Sequence, residues 1–309
     1  MANEKFKLVY IASSGRSGST LLELMFGSHP QLWTLGELYV LPFAVQSEAK
    51  PCGCGAPVGE CPFWGPIVQQ HKSVVLGPSI GRFRDGYDVG RLFQFGEFPS
   101  IWSRNGSWNT TRQAQLAQFG ADNVTLLKTV LEKSRQMKGD QVTWLVDASK
   151  SIYRLLWLKQ CGLFDLRVIH LVKDPRAFVY SISKRDDGSV DTRRAARATF
   201  RWNAENYLLG KLFRNRFAED EVRRIRYEEL ASRTEPVLKE TLAWLGLPYD
   251  PRMVTDFRSI NHGIAGNPMR HRSNGIHLDE KWRSGLSTGM QNLVRGASLV
   301  LSNRYGFTR

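Results

Sequence analysis

Lys7-Leu8-Val9-Tyr10-Ile11-Ala12-Ser13-Ser14-Gly15-Arg16-Ser17-Gly18-Ser19-Thr20-Leu21-Leu22 is the stretch from which the fold of this chain is read. Lys7–Ala12 is a short apolar run with β-branched members, which predicts a strand. It stops at Ser13-Ser14-Gly15. From Ser19 onward Leu21, Leu22, Met25 and Phe26 recur at helical spacing. Strand, Gly/Ser turn and helix in that order present successive backbone N–H groups, with the helix dipole behind them, to an anion. Gly15 and Gly18 let the chain bend and approach a ligand closely. Ser17, Ser19 and Thr20 add hydroxyl donors, and Arg16 adds a rigid positive fork suited to phosphate or sulfate oxygens. The kinase-type loop G-x-x-x-x-G-K-[ST] is not met, because no lysine follows Gly18. Of the dinucleotide fingerprint only Gly15-x-x-Gly18 remains. The loop reads as a phosphate cradle without the usual lysine and magnesium partners; the plain alternative is a Gly/Ser turn that only caps a helix.

Working outward, Trp144–Val146 leads through Asp147-Ala148-Ser149 into a helix carrying Leu155, Leu156 and Leu158. Arg167–Val172 is an apolar strand ending at Asp174-Pro175, a helix start with proline just inside it. Val222–Tyr227 is a further strand before the helix pattern Val237–Leu245. Uniformly apolar strands are buried on both faces, and their alternation with helices predicts an α/β domain over 1–309 with a central parallel sheet flanked by helices. The stretch 51–138, rich in Gly, Pro and Trp, reads as an irregular insertion over the sheet edge. The polar, Arg- and Gly-rich stretch 260–287 reads as a covering loop.

With 42% hydrophobic residues the chain can build a sizeable core, which excludes a disordered polymer. A net charge of +14 implies anionic partners without choosing among nucleotide, nucleic acid, anionic glycan and membrane surface. The apolar run Leu8–Ala12 is too short for a signal-peptide core, and no small-residue cleavage site follows it. No run of ~18 apolar residues appears, so no transmembrane helix is predicted and the expected compartment is the cytosol. The four cysteines are then not a disulfide framework. Cys52-x-Cys54 and Cys61, with His71 beyond, do not have the spacing of a standard zinc finger, and the expectation is that no metal is bound. Cys161 reads as core.

The first loop resembles the 5′-phosphosulfate-binding loop of the sulfotransferases, in particular their tyrosylprotein and carbohydrate branches. The resemblance implies a P-loop nucleotide-kinase-like three-layer fold and 3′-phosphoadenosine-5′-phosphosulfate (PAPS) as donor, with adenosine 3′,5′-bisphosphate (PAP) as product. It implies that residues 15–20 hold the 5′-phosphate and that Arg16 also reaches the acceptor side of the sulfuryl group. Such a donor needs a second phosphate site. The segment Val168–Ser181 is again a strand running into a helix, and Lys173 and Ser181 match the family's 3′-phosphate positions. Arg185 matches a further basic position of the tyrosylprotein branch. Lys173 stands where the family usually has arginine, which keeps the charge but loses the bidentate fork; Arg176 or Arg185 are candidates to supplement it. His170, inside the apolar strand, reads as structural.

Sulfuryl transfer needs an in-line acceptor, cations around the transferred group and a base for the acceptor proton. Glu37 lies just past a predicted strand around Leu32–Thr34, at the edge where open α/β sheets bind ligands. It has the same offset from the loop arginine as the tyrosylprotein branch's base, so it is the expected general base. Asp147-Ala148-Ser149-Lys150-Ser151 resembles a strand-end segment of bacterial members. Lys150 is the expected stabiliser of the bridging oxygen, with Asp147 positioning it or capping the helix; Lys128 is the alternative. Tyr227 of Tyr227-Glu228-Glu229-Leu230 matches a tyrosine near the adenine. Gly266–Arg270 and Asp279–Arg283 also resemble bacterial members, which makes Arg270, Arg272, Lys281 and Arg283 candidates for the donor phosphates. The expected function is transfer of a sulfuryl group from PAPS to a hydroxyl of a carbohydrate, glycolipid or small molecule, with no metal and at most peripheral membrane contact. The competing readings are a phosphate-loop kinase and a nucleic-acid-binding protein, the latter drawing on Arg193, Arg194, Arg197 and Arg201 along one helix.

Overall fold

The computed structural model describes residues 5–47, 51–83, 97–103, 108–257, 261–266 and 275–307. Strands β1 (Phe6–Ser13), β2 (Leu32–Gly36), β3 (Trp144–Asp147), β4 (Phe164–Val172) and β5 (Val222–Arg226) form a five-stranded sheet in the order β2-β3-β1-β4-β5. Every pairing is parallel, from Leu8 opposite Leu145 on one side of β1 to Ser13 opposite Leu171 on the other. The expected fold is the one observed, and the cause is visible along β1. Leu8, Tyr10 and Ala12 enter one hydrophobic core, which contains Leu155 and Leu156 of the helix Ile152–Gln160. Val9 and Ile11 enter the opposite core with Leu22 and Met25 of α1 (Ser19–Ser28) and Leu238 and Leu242 of the helix Thr234–Leu245. A strand's two-residue period thus feeds two helical layers, and all five of these β1 side chains are fully buried.

The stretch 51–138, expected to be irregular, contains a 29-residue helix, Thr110–Lys138. Its buried stripe is Phe119, Asn123, Leu126, Leu127, Val130 and Ser134, a helical period diluted by two polar members. Asn109 caps its start by accepting from the Arg112 N–H. At its end the Lys138 ammonium donates to the carbonyls of Gly27, His29 and Leu32, at 2.5, 2.7 and 2.9 Å, fastening the α1–β2 turn. Burial pulls Lys138 down to about 8. No described helix is both long and apolar enough to cross a membrane.

Candidate active site

Parallel strands deliver their C-terminal ends to one edge, and a cleft of about 840 Å³ lies there. Each of the five strand ends contributes to its lining: Gly15, Arg16, Gly18, Ser19 and Thr20 after β1, Glu37 after β2, Lys150 after β3, Lys173 after β4 and Tyr227 after β5.

The loop after β1 enters α1 through Gly18, which has φ 89° and caps the helix with its carbonyl accepting from Leu21 and Leu22 N–H. A Cβ at Gly18 would lie 2.3 Å from Tyr227 Cδ2, so the ring occupies the space that a side chain would need. Arg16 also has positive φ, 71°. The hydroxyls of Ser13, Ser14 and Ser17 are buried and have no hydrogen-bond partner among the described residues. Buried polar atoms of native proteins rarely lack a partner, and these three cluster at the end of β1 and in the turn after it, next to the cleft-lining Gly15, Arg16 and Gly18.

Glu37 follows Gly36, whose own φ of 71° turns the chain. Its backbone N–H donates to the Ile264 carbonyl at 2.8 Å. Its carboxylate accepts from Lys150 Nζ at 2.7 Å and from the Tyr39 hydroxyl at 3.3 Å. Lys150 Nζ also lies 3.4 Å from Ser19 Oγ at the start of α1. Both members of the Lys150–Glu37 pair are largely buried, with side chains 8% and 10% exposed. Lys150 has φ 64°, a conformation that a non-glycine residue keeps only when its surroundings hold it.

The holding group is Asp147. It is fully buried, accepts from both the N–H and the hydroxyl of Ser149, and pairs with the fully buried Arg154 at 2.8 Å. Ser149 Oγ in turn accepts from the Tyr39 N–H at 3.2 Å. The cap of the helix Ile152–Gln160 is Ser151 rather than Asp147, since the Ser151 hydroxyl accepts from the Arg154 N–H. Lys128, the alternative cation, is exposed on the helix Thr110–Lys138 and outside the cleft.

Lys173 is 6% exposed, and its ammonium sits 4.5 Å from the centre of the Tyr227 ring. Burial holds Lys173 below the usual lysine range; Arg16 pushes the same way, while Asp279 and Glu228 pull it back up. Burial likewise raises Tyr227, whose hydroxyl reaches the His277 carbonyl at 3.4 Å. Ser181 lines the cleft near Lys173 and donates to the Phe178 carbonyl. His170, paired with Asn206 at 3.1 Å, is buried in the core and pushed down to about 3, chiefly by that burial.

Several basic candidates stand elsewhere. Arg185 lies outside the cleft lining, half exposed and paired with Asp191 at 3.0 Å. Arg176, the suggested supplement, forms a two-pronged pair with Asp174 and stacks on Trp282 at 4.3 Å. Arg283 is mostly exposed and paired with Glu280, whereas Lys281 does line the cleft. Arg270 and Arg272 fall outside the described residues. Two cations that the sequence reading did not select for the cleft line it: Lys184, and Arg201 on the helix Thr192–Arg216. Their signal is position, since Lys184 directly ends the helix that follows Lys173. Arg193, Arg194 and Arg197 of that longer helix are exposed.

No protein-family model matches the chain. Carbohydrate sulfotransferase 5 of Mus musculus is 28% identical over 166 residues, which are 45% of this chain and 42% of that protein. The sulfotransferase domain of the olefin synthase of Synechococcus PCC 7002 is similar in structure, with a TM-score of 0.52 and 22% identity, over 98% of this chain and 97% of the other. The sulfotransferase domain from the curacin biosynthetic pathway is similar with a TM-score of 0.53 and 16% identity, over 97% and 99%. The chain therefore has the sulfotransferase fold, a P-loop-like α/β arrangement, and it resembles sulfotransferases in sequence over part of its length.

Proposed function

We propose that the chain transfers a sulfuryl group from PAPS to an acceptor hydroxyl. The observation that carries this reading is the position of Lys150: one ammonium touches both Ser19, at the N-terminus of α1, and the carboxylate of Glu37. A transfer reaction needs charge neutralised where the leaving phosphate sits and a proton accepted where the acceptor enters. Here those two places share a single cation.

In this reading the loop 15–20 holds the 5′-phosphate, with Arg16, Ser19 and Thr20 of the cleft lining supplying donors that match phosphate oxygens. Lys173 and Ser181 face the 3′-phosphate, Tyr227 packs beside the nucleoside, and Lys281 covers the donor. The acceptor O–H gives its proton to a Glu37 oxygen while the acceptor oxygen bonds to sulfur. The bond between sulfur and the 5′-phosphate oxygen breaks, and its electron pair stays on the phosphate. The helix N-terminus, Arg16 and Lys150 offset the charge that develops there. No step asks for a metal ion. The partial likeness to a mouse carbohydrate sulfotransferase favours a sugar hydroxyl as acceptor.

The test is transfer of radiolabelled sulfate from PAPS to a panel of glycans and small hydroxyl compounds, without added magnesium. A labelled product together with saturable PAP binding is the expected result. Phosphoryl transfer from ATP and magnesium with none from PAPS would establish the kinase reading. Salt-dependent RNA binding that PAP does not compete would establish the nucleic-acid reading.

A further inference from the structure

Cys52, Cys54 and Cys61 lie behind the active cleft, and no fourth partner stands near them in the sequence at a recognisable spacing. The structure brings His262 to them. The four ligand atoms lie within 4.8 Å of one another, while His71, the histidine nearest in sequence, instead pairs with Thr129 at 2.8 Å. The geometry points to a structural zinc site with three thiolates and one imidazole, formed by Cys52, Cys54, Cys61 and His262.

The distances decide between a metal site and incidental thiols. A tetrahedral zinc with ordinary bond lengths sets its ligand atoms about 3.8 Å apart for two sulfurs and about 3.6 Å apart for sulfur and nitrogen. The cluster has sulfur pairs at 3.4 Å for Cys61–Cys52 and 3.7 Å for Cys54–Cys61, and His262 Nδ1 at 3.2 Å from Cys61 and 3.7 Å from Cys52. A disulfide would use two of the thiols and strand the third beside the imidazole. All four cysteines of the chain are free.

The surroundings are those of a closed site rather than a catalytic one. Cys52 and Cys61 are each 1% exposed and His262 is 6% exposed, while Cys54 is half-buried. The His262 ring packs against both Trp33 and Phe63, at 6.0 and 5.5 Å, and the Trp64 indole N–H holds its carbonyl at 2.6 Å. The backbone N–H of Trp64 points at Cys61 Sγ from 3.4 Å, a contact that favours thiolate. Zinc binding displaces the remaining thiol protons to solvent.

The knot joins two distant stretches just behind the proposed base. Gly53 N–H donates to the Gly263 carbonyl at 3.0 Å, and Ile264 pairs through its backbone with Leu35 and with Glu37. The metal therefore fixes the strip that carries the Glu37 backbone.

The experiment measures metal, not turnover. The full chain, purified without chelator from zinc-supplied cells, should carry about one zinc per chain by mass spectrometry. Cobalt(II) put in its place should give the visible bands of a tetrahedral, thiolate-rich site. Cys54→Ser should lose the metal, while His262→Cys should keep it as a site of four thiolates. If Cys61→Ser fails to fold, those two conservative variants still carry the comparison. Protein that holds no zinc and takes up no cobalt would overturn the inference. So would zinc retained in full by Cys54→Ser, or a stoichiometric iron centre in place of zinc.

Discussion

Replacing Glu37 by glutamine removes one negative charge and keeps the shape. Glutamine can still accept the Lys150 hydrogen bond through Oε1, and it can still meet the Tyr39 hydroxyl. What it cannot do is take the acceptor proton. A positioned general base contributes about 10²–10⁴ in rate, which is about 2.7–5.4 kcal/mol of barrier. The same change leaves Lys150 as an uncompensated cation whose side chain is 8% exposed. Breaking a buried pair from one side costs about 3–5 kcal/mol when nothing else answers the charge. A donor phosphate at the α1 N-terminus is such an answer, because Ser19, which Lys150 already reaches, belongs to that cradle. Glu37→Gln should therefore lower kcat by two to four orders of magnitude, lower the melting temperature of the nucleotide-free protein, and bind PAP as tightly as the parent chain or more tightly. Labelled transfer, thermal melting with and without PAP, and calorimetry read the three effects separately. Turnover close to that of the parent would refute the base assignment. Weakened PAP binding would refute the view that Lys150 is shared between the pair and the phosphate.

Gly18→Ala places a Cβ 2.3 Å from Tyr227 Cδ2 on a backbone with φ 89°, which costs about 1–2 kcal/mol in conformation alone and displaces the ring; PAP affinity should fall at least about tenfold by calorimetry, given that about 1.4 kcal/mol is a factor of ten. Lys173 must be protonated to attract a phosphate, and burial sets it below the ordinary lysine range, so PAP affinity should start to fall with rising pH before free lysine titrates, a trend that Lys173→Met should abolish. The sign is opposite for the nucleotide-free fold: the unfolded chain binds the extra proton in that window, so this residue's contribution to stability becomes more favourable as pH rises through it. Asp147→Asn breaks a pair with both side chains 0% exposed and should cost about 3–5 kcal/mol in urea unfolding, with a loss of kcat larger than the loss of PAP affinity because Lys150 loses its support. Stripping the proposed zinc should leave the far-ultraviolet circular dichroism of the sheet largely intact and reduce kcat more than PAP binding, since the knot holds the strip behind Glu37 rather than the phosphate loop.

The sheet and most of the cleft were legible because their signals are contiguous. Strand, turn and helix follow one another at Phe6–Ser28, and Glu37, Lys150, Lys173 and Tyr227 each stand within three residues of the end of a strand. Groups whose role depends on a partner that no motif registers were not legible. His262 joins Cys61 across 201 residues, and no spacing rule connects them. Arg185 and Arg283 carry the right charge at matching positions, but Asp191 and Glu280, only six and three residues away, pair with them. A sequence motif scores a cation and does not register the neighbour that occupies it. The helix Thr110–Lys138 was missed for a different reason: Asn123 and Ser134 sit in its buried stripe, and Asn123 accepts from the guanidinium of Arg154 at 2.9 Å. Asn123 thus belongs to the buried Arg154–Asp147 pair rather than to the apolar pattern, while Ser134 bonds back to Leu131 of its own helix.

Lys173 stands where the sulfotransferases that this chain resembles usually have arginine, and the packing around Tyr227 suits the lysine. The Tyr227 ring is pressed against Gly18, where no Cβ fits, and the Lys173 ammonium lies 4.5 Å from the ring centre. The backbone of Lys173 is fixed as well, because the Trp202 indole N–H holds its carbonyl at 2.9 Å. A compact ammonium suits that confined place over the ring, whereas a guanidinium presents a planar fork that needs room on both edges. Arg16, close enough to act electrostatically on Lys173, already supplies a fork from the first loop. Gly18 and Lys173 therefore meet through one ring, so a change at Gly18 is felt at Lys173 through Tyr227.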